Sequence, residues 1–205
     1  VVDQFTPPLS VLKNAISRLK SKVFSSSMSP EMLDSLFYST KTNDGDEFLL
    51  FKWTYSNGQQ SSKQMIVFAS RFQLDIAQKG PGVFLSDGTF QFVPAKFKQM
   101  YSLHTMVDGT VFPIAFALME EKTVEAYETF FGVLNENGVQ IKTLMSDFEK
   151  GPRAAVRSVY GTSVQIKGCW FHYTQAIMKR IKKIGLQASY ANLPLVNKTV
   201  RRLFA

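Results

Sequence analysis

The sequence predicts an α/β fold in which a three-stranded antiparallel meander is followed by alternating strands and helices. Two apolar runs, 97–107 and 110–119, flank Asp108-Gly109, a dipeptide that favours the tight turn of a β-hairpin. Farther along the chain, short apolar runs alternate with segments of helical periodicity. With 45% hydrophobic residues and 18 Phe, the 205-residue chain has enough apolar mass for a folded core, which excludes an intrinsically disordered protein.

The first 80 residues are predicted to form an N-terminal accessory region of helices and short strands, with a possible contact to DNA. Glycine and proline in Lys79-Gly80-Pro81-Gly82 mark the predicted boundary to a second unit, residues 81–205. The elements expected in the accessory region, in chain order, are a helix over 10–24, a short helix beginning at Ser29-Pro30, a strand over 47–55, a turn at Ser56-Asn57-Gly58, a strand over 64–69 and a helix over 72–78.

In the second unit, a first strand over 83–86 ends on Asp87 and precedes the hairpin, and a later strand over 139–146 ends on Asp147. The other expected elements are helices over 125–137, 150–160 and 171–184, and a strand over 164–168. The resulting order is three strands, then helix, strand, helix, strand and helix. This order gives a mixed sheet with helices on its faces and matches the RNase H-like architecture.

Asp87 and Asp147 are the predicted catalytic residues and metal ligands. A single Asp at the end of a strand more often caps a turn or a helix. Two such residues, at the ends of the first and fourth strands of this order, are expected to lie side by side at one edge of the sheet. Their oxygens suit Mg²⁺ or Mn²⁺, and a pair of such ions can support hydrolysis of a phosphodiester.

Several segments resemble the transposase domain of Mutator-like elements, the MULE superfamily: FLSDGTFQFVPAKFKQMYSLHTM, FPIAFALMEEKTVEAYETFF, TLMSDFEKGPRAAV and GCWFHYTQAI. The resemblance covers about residues 64–185. It implies a cut-and-paste DNA transposase of the DDE type, which hydrolyses and joins phosphodiester bonds at element ends with two metal ions. By the resemblance, Asp87 and Asp147 correspond to the first two catalytic acids, and Cys169 and His172 to the Cys-x-x-His signature of the family.

The chain departs from the family at the third catalytic acid. No Asp or Glu follows Glu149, so the Glu that the family carries on a later helix has no counterpart here. Either the chain ends before that residue or the protein has lost it, and the helical character of 197–205 favours the first explanation. A lost acid would instead give a domesticated or decayed transposase that binds DNA without cleaving it. The metal site of these 205 residues alone is expected to be incomplete, and the chain inactive by itself.

Cys169 and His172 are spaced to face the same way on the first turn of a helix, as zinc ligands do. A zinc site built from this chain alone is not expected, because the sequence has no second Cys and only one other His, His104. We therefore interpret Cys169 and His172 as site-adjacent: the thiol packs in the core, and the imidazole contacts an acid or a DNA phosphate. His104 is expected to be a packed residue of its strand.

Positive charge is concentrated in the last quarter of the chain. Ten of the 24 basic residues and none of the 16 acidic residues lie in 151–205, so the rest of the chain has a net charge of −2. A solvated helix face is the alternative to a DNA contact, but the absence of acids favours DNA. The predicted contacts are Lys150, Arg153, Arg157, Lys179, Arg180, Lys182 and Lys183, with a further set on the N-terminal helix at Lys13, Arg18, Lys20 and Lys22.

The aromatic residues Trp170, Phe171 and Tyr173 are expected to pack in the core, as aromatics at a strand–helix junction usually do; the alternative is stacking on an unpaired DNA base. A single cysteine and the lack of a signal peptide or apolar span predict a nuclear or otherwise intracellular protein that does not interact with membranes. The expected partners are double-stranded DNA, as transposon ends and target, and further copies of the chain in the active complex.

Overall fold

The computed structural model describes residues 40–56, 62–90, 93–94 and 96–202. The helices predicted before residue 40, with their basic residues, and most of the predicted turn at 56–58 lie outside these ranges. Within them, seven strands form one sheet: β1 (Leu49–Ser56), β2 (Ser62–Phe68), β3 (Val83–Thr89), β4 (Gln99–Val107), β5 (Thr110–Met119), β6 (Thr143–Ser146) and β7 (Gln165–Gly168). The order across the sheet is β1-β2-β5-β4-β3-β6-β7.

The described helices are α1 (Arg71–Lys79), α2 (Val124–Glu136), α3 (Lys150–Tyr160), α4 (Trp170–Lys183), α5 (Gln187–Asn192) and α6 (Pro194–Arg202). Local capping chemistry fixes where the first two begin. Ser70 forms a capping box with Gln73 at the start of α1, and the Thr123 hydroxyl accepts from the Ala126 N–H at the start of α2. None of the described helices is both long and apolar enough to cross a membrane.

The meander formed by β3, β4 and β5 is antiparallel. β6 pairs in parallel with β3, and β7 pairs in parallel with β6. Asp108 and Gly109 both have positive φ angles, 49° and 78°, as the tight turn of the β4–β5 hairpin requires. Counted from β3 onward, the five strands lie in the order 3-2-1-4-5. The predicted fold class, a mixed RNase H-like sheet built on an antiparallel meander, is confirmed.

β1 and β2 lie before the predicted boundary at residue 80 and extend the same sheet beyond β5. β2 pairs with β5 in antiparallel register, from Met65 opposite Met119 to Phe68 opposite Phe116. The backbone between β2 and β3 forms α1, which contacts β5. The division of the chain at residue 80 stays a prediction, but these two strands share the hydrogen-bonded ladder of the unit that follows.

The strand predicted over 139–146 is shorter than expected, because only 143–146 pair with β3 and β7. Val139 and Ile141 are buried without being part of a strand. The Val139 N–H donates to the Leu134 carbonyl at the end of α2, while the N–H groups of Lys142 and Thr143 both donate to Gly82. The apolar run therefore packs against the core as it leaves the helix, and it pairs only over its last four residues.

The core lies between the sheet and α2 and α3. Tyr127, Phe130 and Phe131 of α2 are at most 1% exposed. Their rings meet the ring of Tyr101, on β4, edge to face at centroid distances of 5.0, 5.4 and 6.4 Å. This aromatic layer fixes α2 on the sheet, and α2 in turn packs against α3, which follows Asp147.

Candidate active site

Asp87 lies on β3, and Asp147 directly follows β6, the parallel neighbour of β3. In the register of β3 with β6, Leu85 is opposite Met145, and each Asp comes two residues after its member of that pair. Both carboxylates therefore lie at the same edge of the sheet. The prediction that Asp87 ends its strand was wrong, since β3 continues to Thr89 and Asp87 pairs with Ser102 of β4. The side chain of Asp87 is still 54% exposed and accessible at that edge.

Backbone N–H groups orient both carboxylates through Oδ1. Asp87 accepts from the N–H of Gly88 at 2.9 Å, and Asp147 accepts from the N–H of Glu149 at 3.0 Å. The Asp147 bond stabilises the turn between β6 and α3, which is part of the capping role that a lone Asp would have. The N-cap residue of α3, however, is Glu149, which makes no side-chain capping bond.

Burial raises the pKa of Asp147 above its ordinary value, because a half-buried carboxylate loses part of its hydration. The nearby Glu149 carboxylate also raises this pKa. The hydrogen bond from the Glu149 N–H, the His172 imidazole and the Lys122 ammonium act in the opposite direction, and burial outweighs them. The ionised form of Asp147 is therefore destabilised by its surroundings, and a nearby positive charge would stabilise it.

His172 lies on the first turn of α4 with Nε2 3.7 Å from Oδ1 of Asp87, and it also acts electrostatically on Asp147. The separation from Asp87 exceeds a hydrogen bond and corresponds to a loose ion pair if the imidazole is protonated. Nδ1 of His172 is buried and has no hydrogen-bond partner in the described part of the chain. His172, which was singled out from the sequence, therefore lies near Asp87 and acts electrostatically on Asp147.

Cys169 sets the position of α4 through its backbone. Its N–H donates to the Ser146 carbonyl at 2.8 Å, and its carbonyl accepts from the Tyr173 N–H at 3.0 Å. Cys169 is partly buried, so it is less enclosed than the expected packing of its thiol in the core. Among the described residues, no group of three or more His, Cys, Asp and Glu side chains is arranged to hold a metal ion.

A hydrogen-bonded network next to Asp147 was not predicted from the sequence. The Lys122 ammonium donates to Oε1 of Glu149, and the Tyr127 hydroxyl donates to Oε2 at 3.3 Å. The fully buried Gln99 donates to the Tyr127 hydroxyl at 2.8 Å. Burial raises the pKa of Tyr127, so its hydroxyl keeps its proton as a donor. No sequence pattern indicates the network, because its four members come from separate parts of the chain: β4, the loop before α2, α2 itself and the turn before α3.

Gly88 allows this network to approach the edge of the sheet that carries Asp87 and Asp147. A Cβ at this position would lie 2.8 Å from Oε1 of Gln99, closer than side chains pack. Gly88 follows Asp87 in the DGTF segment. A glycine is needed at this position because the backbone of β3 passes close to the buried side-chain amide of Gln99.

The predicted DNA contacts form two groups. Lys150 and Arg157 are exposed on α3 and Arg153 is half-buried there, while the four basic residues of α4 are all exposed near its C-terminal end: Lys179, Arg180, Lys182 and Lys183. Lys179 and Lys183 follow His172 by seven and eleven residues. At 3.6 residues per turn, they share its face of the helix. Favourable interaction with the helix dipole is a structural reason for the same charges.

The aromatic residues near His172 are on the surface. Trp170 and Phe171 are 55% and 61% exposed, and Tyr173 is 36% exposed. Phe148, which follows Asp147, is 50% exposed and lies 6.4 Å from Tyr173, ring centre to ring centre. The expectation that the aromatics of the strand–helix junction belong to the core was wrong. Ile181 is the buried residue of α4.

Part of the chain is similar to a known family of proteins. Residues 83–176 match the family model of the MULE transposase domain. Among solved structures, the chain is similar to the catalytic core domain of the HTLV-2 integrase in complex with magnesium, with 15% identity, a TM-score of 0.31, and 62% of this chain and 84% of that chain covered. It is also similar to the simian T-cell lymphotropic virus intasome in complex with the PP2A regulatory subunit B56 gamma, with 9% identity, a TM-score of 0.32, and 95% of this chain and 66% of that chain covered.

The search of curated proteins gave no match. The fold assignment rests on the strand order described above. The segment that matches the family model includes Asp87, Asp147, Cys169 and His172. Residues 83–176 are therefore similar to the MULE transposase domain.

Proposed function

We propose that the chain is part of a DNA transposase that hydrolyses and rejoins phosphodiester bonds at DNA ends, using Mg²⁺ or Mn²⁺. The observation that carries the proposal is the position of Asp87 and Asp147 at the same edge of two neighbouring parallel strands, inside the segment that matches the MULE transposase domain. Catalysis of this kind needs anionic oxygens fixed where a metal ion can meet a phosphate.

The donor set fits a hard divalent ion. Mg²⁺ is commonly held by one or two carboxylates, with water and substrate phosphate completing its shell. Asp87 and Asp147 would hold the ion, and it would supply charge stabilisation to the phosphate and lower the pKa of a bound water. The raised pKa of Asp147 supports this assignment, because a partly desolvated carboxylate gains from a nearby cation. His172 would help to orient the Asp87 carboxylate, because its Nε2 lies 3.7 Å from Oδ1 of Asp87.

DNA is the proposed substrate and partner. The backbone contacts would come from the basic residues of α3 and α4, and Lys179 and Lys183 lie on the face of α4 that carries His172. A phosphate chain that follows this face would lead into the carboxylate edge. Such contacts do not read sequence. The active form is proposed to contain more than one copy of the chain, to act on transposon ends and target DNA, and to work inside the cell, in the nucleus.

A second candidate function is DNA binding without cleavage, as in a domesticated transposase. The observation that favours it is the absence of any Asp or Glu after Glu149 in the sequence. The basic surface would be retained in that case, while the carboxylate pair would lack its third acid. Strand-cleavage assays with Mg²⁺ on the natural full-length protein distinguish the two functions: cleavage supports the transposase, and DNA binding without cleavage supports the second candidate.

Binding of Mn²⁺ to the 205-residue chain tests the metal site directly. Titration followed by electron paramagnetic resonance of free Mn²⁺ should show weak binding that is lost in both Asp87→Asn and Asp147→Asn. Asp108→Asn is the matched control, because Asn tolerates the positive φ of 49° at this turn and Asp108 lies at the other end of β4. Equal binding by all four proteins would place the metal site elsewhere and overturn the assignment.

A further inference from the structure

Four aromatic side chains form an exposed surface beside the carboxylate edge. This aromatic patch consists of Phe148, Trp170 and Tyr173, with exposed fractions of 50, 55 and 36%, together with Phe171, which is 61% exposed. The ring centre of Tyr173 lies 5.9 Å from that of Trp170 and 6.4 Å from that of Phe148. The ring of Phe171 adjoins His172 instead, at 5.7 Å between ring centres. Exposed aromatic surface of this extent has a cost in water and usually marks a binding surface.

The backbone of the site holds the patch in place. Phe148 follows Asp147, and Trp170, Phe171 and Tyr173 flank His172 on the first turn of α4. The ring of Phe148 lies over Gly168, where a Cβ would come within 2.9 Å of it. The patch therefore begins one residue from Asp147, and its members on α4 flank His172, whose Nε2 lies 3.7 Å from Oδ1 of Asp87.

The charges around the patch define what it can bind. Asp147 and Glu149 adjoin Phe148 in the sequence, but no acidic residue follows Glu149, and Lys150 and Lys167 near the patch in the sequence are exposed. Lys167 lies on β7, two residues before Cys169, and Lys150 begins α3, two residues after Phe148. A ligand that combines flat apolar faces with negative charge matches this surface. Unpaired nucleotides have both properties, because each carries a base that stacks and a phosphate.

We propose that the aromatic patch binds unpaired nucleotide bases of a DNA strand whose phosphates pass the carboxylate edge. The proposal deepens the proposed function and rests on it for the identity of the strand. Stacking is tolerant of base identity, since every base has a π-face. The patch thus selects frayed or single-stranded DNA next to the site, and the basic residues of α3 and α4 supply contacts that are blind to base pairing.

Binding of labelled 12-nucleotide oligomers, followed by fluorescence anisotropy in EDTA, tests the proposal. One oligomer is oligo-dT, and the other has the same phosphates with abasic sites in place of the bases. Trp170→Ala and Phe171→Ala should each weaken oligo-dT binding about five-fold or more, as expected for loss of one stacked base. The abasic oligomer should bind all proteins equally. Trp170→Phe, which keeps a ring, should retain most of the affinity for oligo-dT.

Phe72→Ala is the matched control. Phe72 is 68% exposed on α1, beside Phe112 and Pro113 at the other end of the sheet, and its loss should change neither affinity. Circular dichroism and thermal melting verify that each variant folds. Unchanged oligo-dT binding by both patch variants would overturn the proposal and indicate that the surface contacts a protein. An equal loss on both oligomers would also overturn it, because it would assign the effect to the phosphates.

The experiments can disprove the metal-site proposal and the base-binding proposal independently of each other. EDTA removes divalent ions, so base discrimination does not depend on the metal site, and Asp147→Asn should retain it. The patch variants in turn leave both carboxylates in place and should bind Mn²⁺ as the wild-type chain does. Loss of Mn²⁺ binding in the Asp variants with base discrimination unchanged is the pattern that both proposals require.

Discussion

The imidazole of His172 approaches the carboxylate of Asp87 to 3.7 Å, Nε2 to Oδ1, from a helix that begins on the far side of two parallel strands. The contact connects the first strand of the RNase H-like unit to the first turn of α4. It brings a residue of the Cys-x-x-His pair against one predicted metal ligand while its charge acts on the other, Asp147. His172 is therefore placed to position both acids.

If the natural full-length protein cleaves DNA as proposed, replacement of His172 by Ala should lower that cleavage about 10- to 100-fold, the usual effect of removing a partner that orients a metal ligand. A Mn²⁺ titration should show weaker binding by a similar factor, since the affinity and the activity depend on the same carboxylate orientation. His104→Ala is the control, because the ring of His104 packs near Phe116 and its loss should leave Mn²⁺ binding unchanged. Equal effects of the two substitutions would exclude a positioning role for His172.

The basic end of α4 should supply salt-dependent, sequence-independent affinity. Replacing Lys179, Arg180, Lys182 and Lys183 by Ala should weaken binding to unrelated duplexes equally. The slope of log affinity against log salt should flatten by up to about 0.9 for each lost phosphate contact. Filter binding at several salt concentrations measures the slope. A slope that does not change would indicate that this end of α4 faces a protein partner.

Gly88→Ala should destabilise the fold by about 1–3 kcal/mol, because its Cβ would lie 2.8 Å from the buried amide oxygen of Gln99 and would force that side chain away from Tyr127. Urea denaturation measures the change. Gly132→Ala is the matched control: no atom lies within 4 Å of its Cβ position inside α2, so it should stabilise the helix by about 0.5–1 kcal/mol. If both substitutions stabilise the protein, the close packing of β3 over Gln99 is wrong.

Asp147→Asn should raise the melting temperature at pH 7 in the absence of metal. Burial raises the pKa of this carboxyl, so folding favours its protonated form, and its contribution to stability is lost as the pH rises through the shifted pKa. The ionised group therefore destabilises the fold at neutral pH, and an amide that keeps the bond from the Glu149 N–H removes that penalty. Melting curves from pH 7 downward should show the difference from wild type shrinking, while Asp108→Asn should show no such trend.

Local chemistry made most of the RNase H-like unit predictable. The Asp108-Gly109 turn, the Thr123 cap and the Gly161 stop each act within a few residues, and the elements they bound were predicted to within one or two residues. The pairing of β2 with β5 was not predicted, since hydrogen bonds between distant segments leave no trace in local periodicity. The same holds for the Lys122–Glu149 ion pair.

The candidate site was predictable to a similar extent. Two acids after apolar strands indicated a common edge of the sheet, because strand order fixes which ends meet. The surface location of Trp170 and Phe171 was not predictable, since aromatic residues are usually buried and nothing local distinguishes a ring that faces water. Their exposure depends on what α4 packs against, which only the three-dimensional arrangement determines.

The pairing of β2 with β5 also limits how the protein can be truncated. The matched family segment begins at residue 83, after β2, so a chain that started there would leave the outer side of Phe116–Met119 without its hydrogen-bonding partner. Ala117 and Met119, which are fully buried in the present fold, would then lie beside a row of open N–H and C=O groups. An unpaired strand of this kind can form hydrogen bonds with strands of other chains. A fragment limited to the family segment would therefore be prone to aggregate.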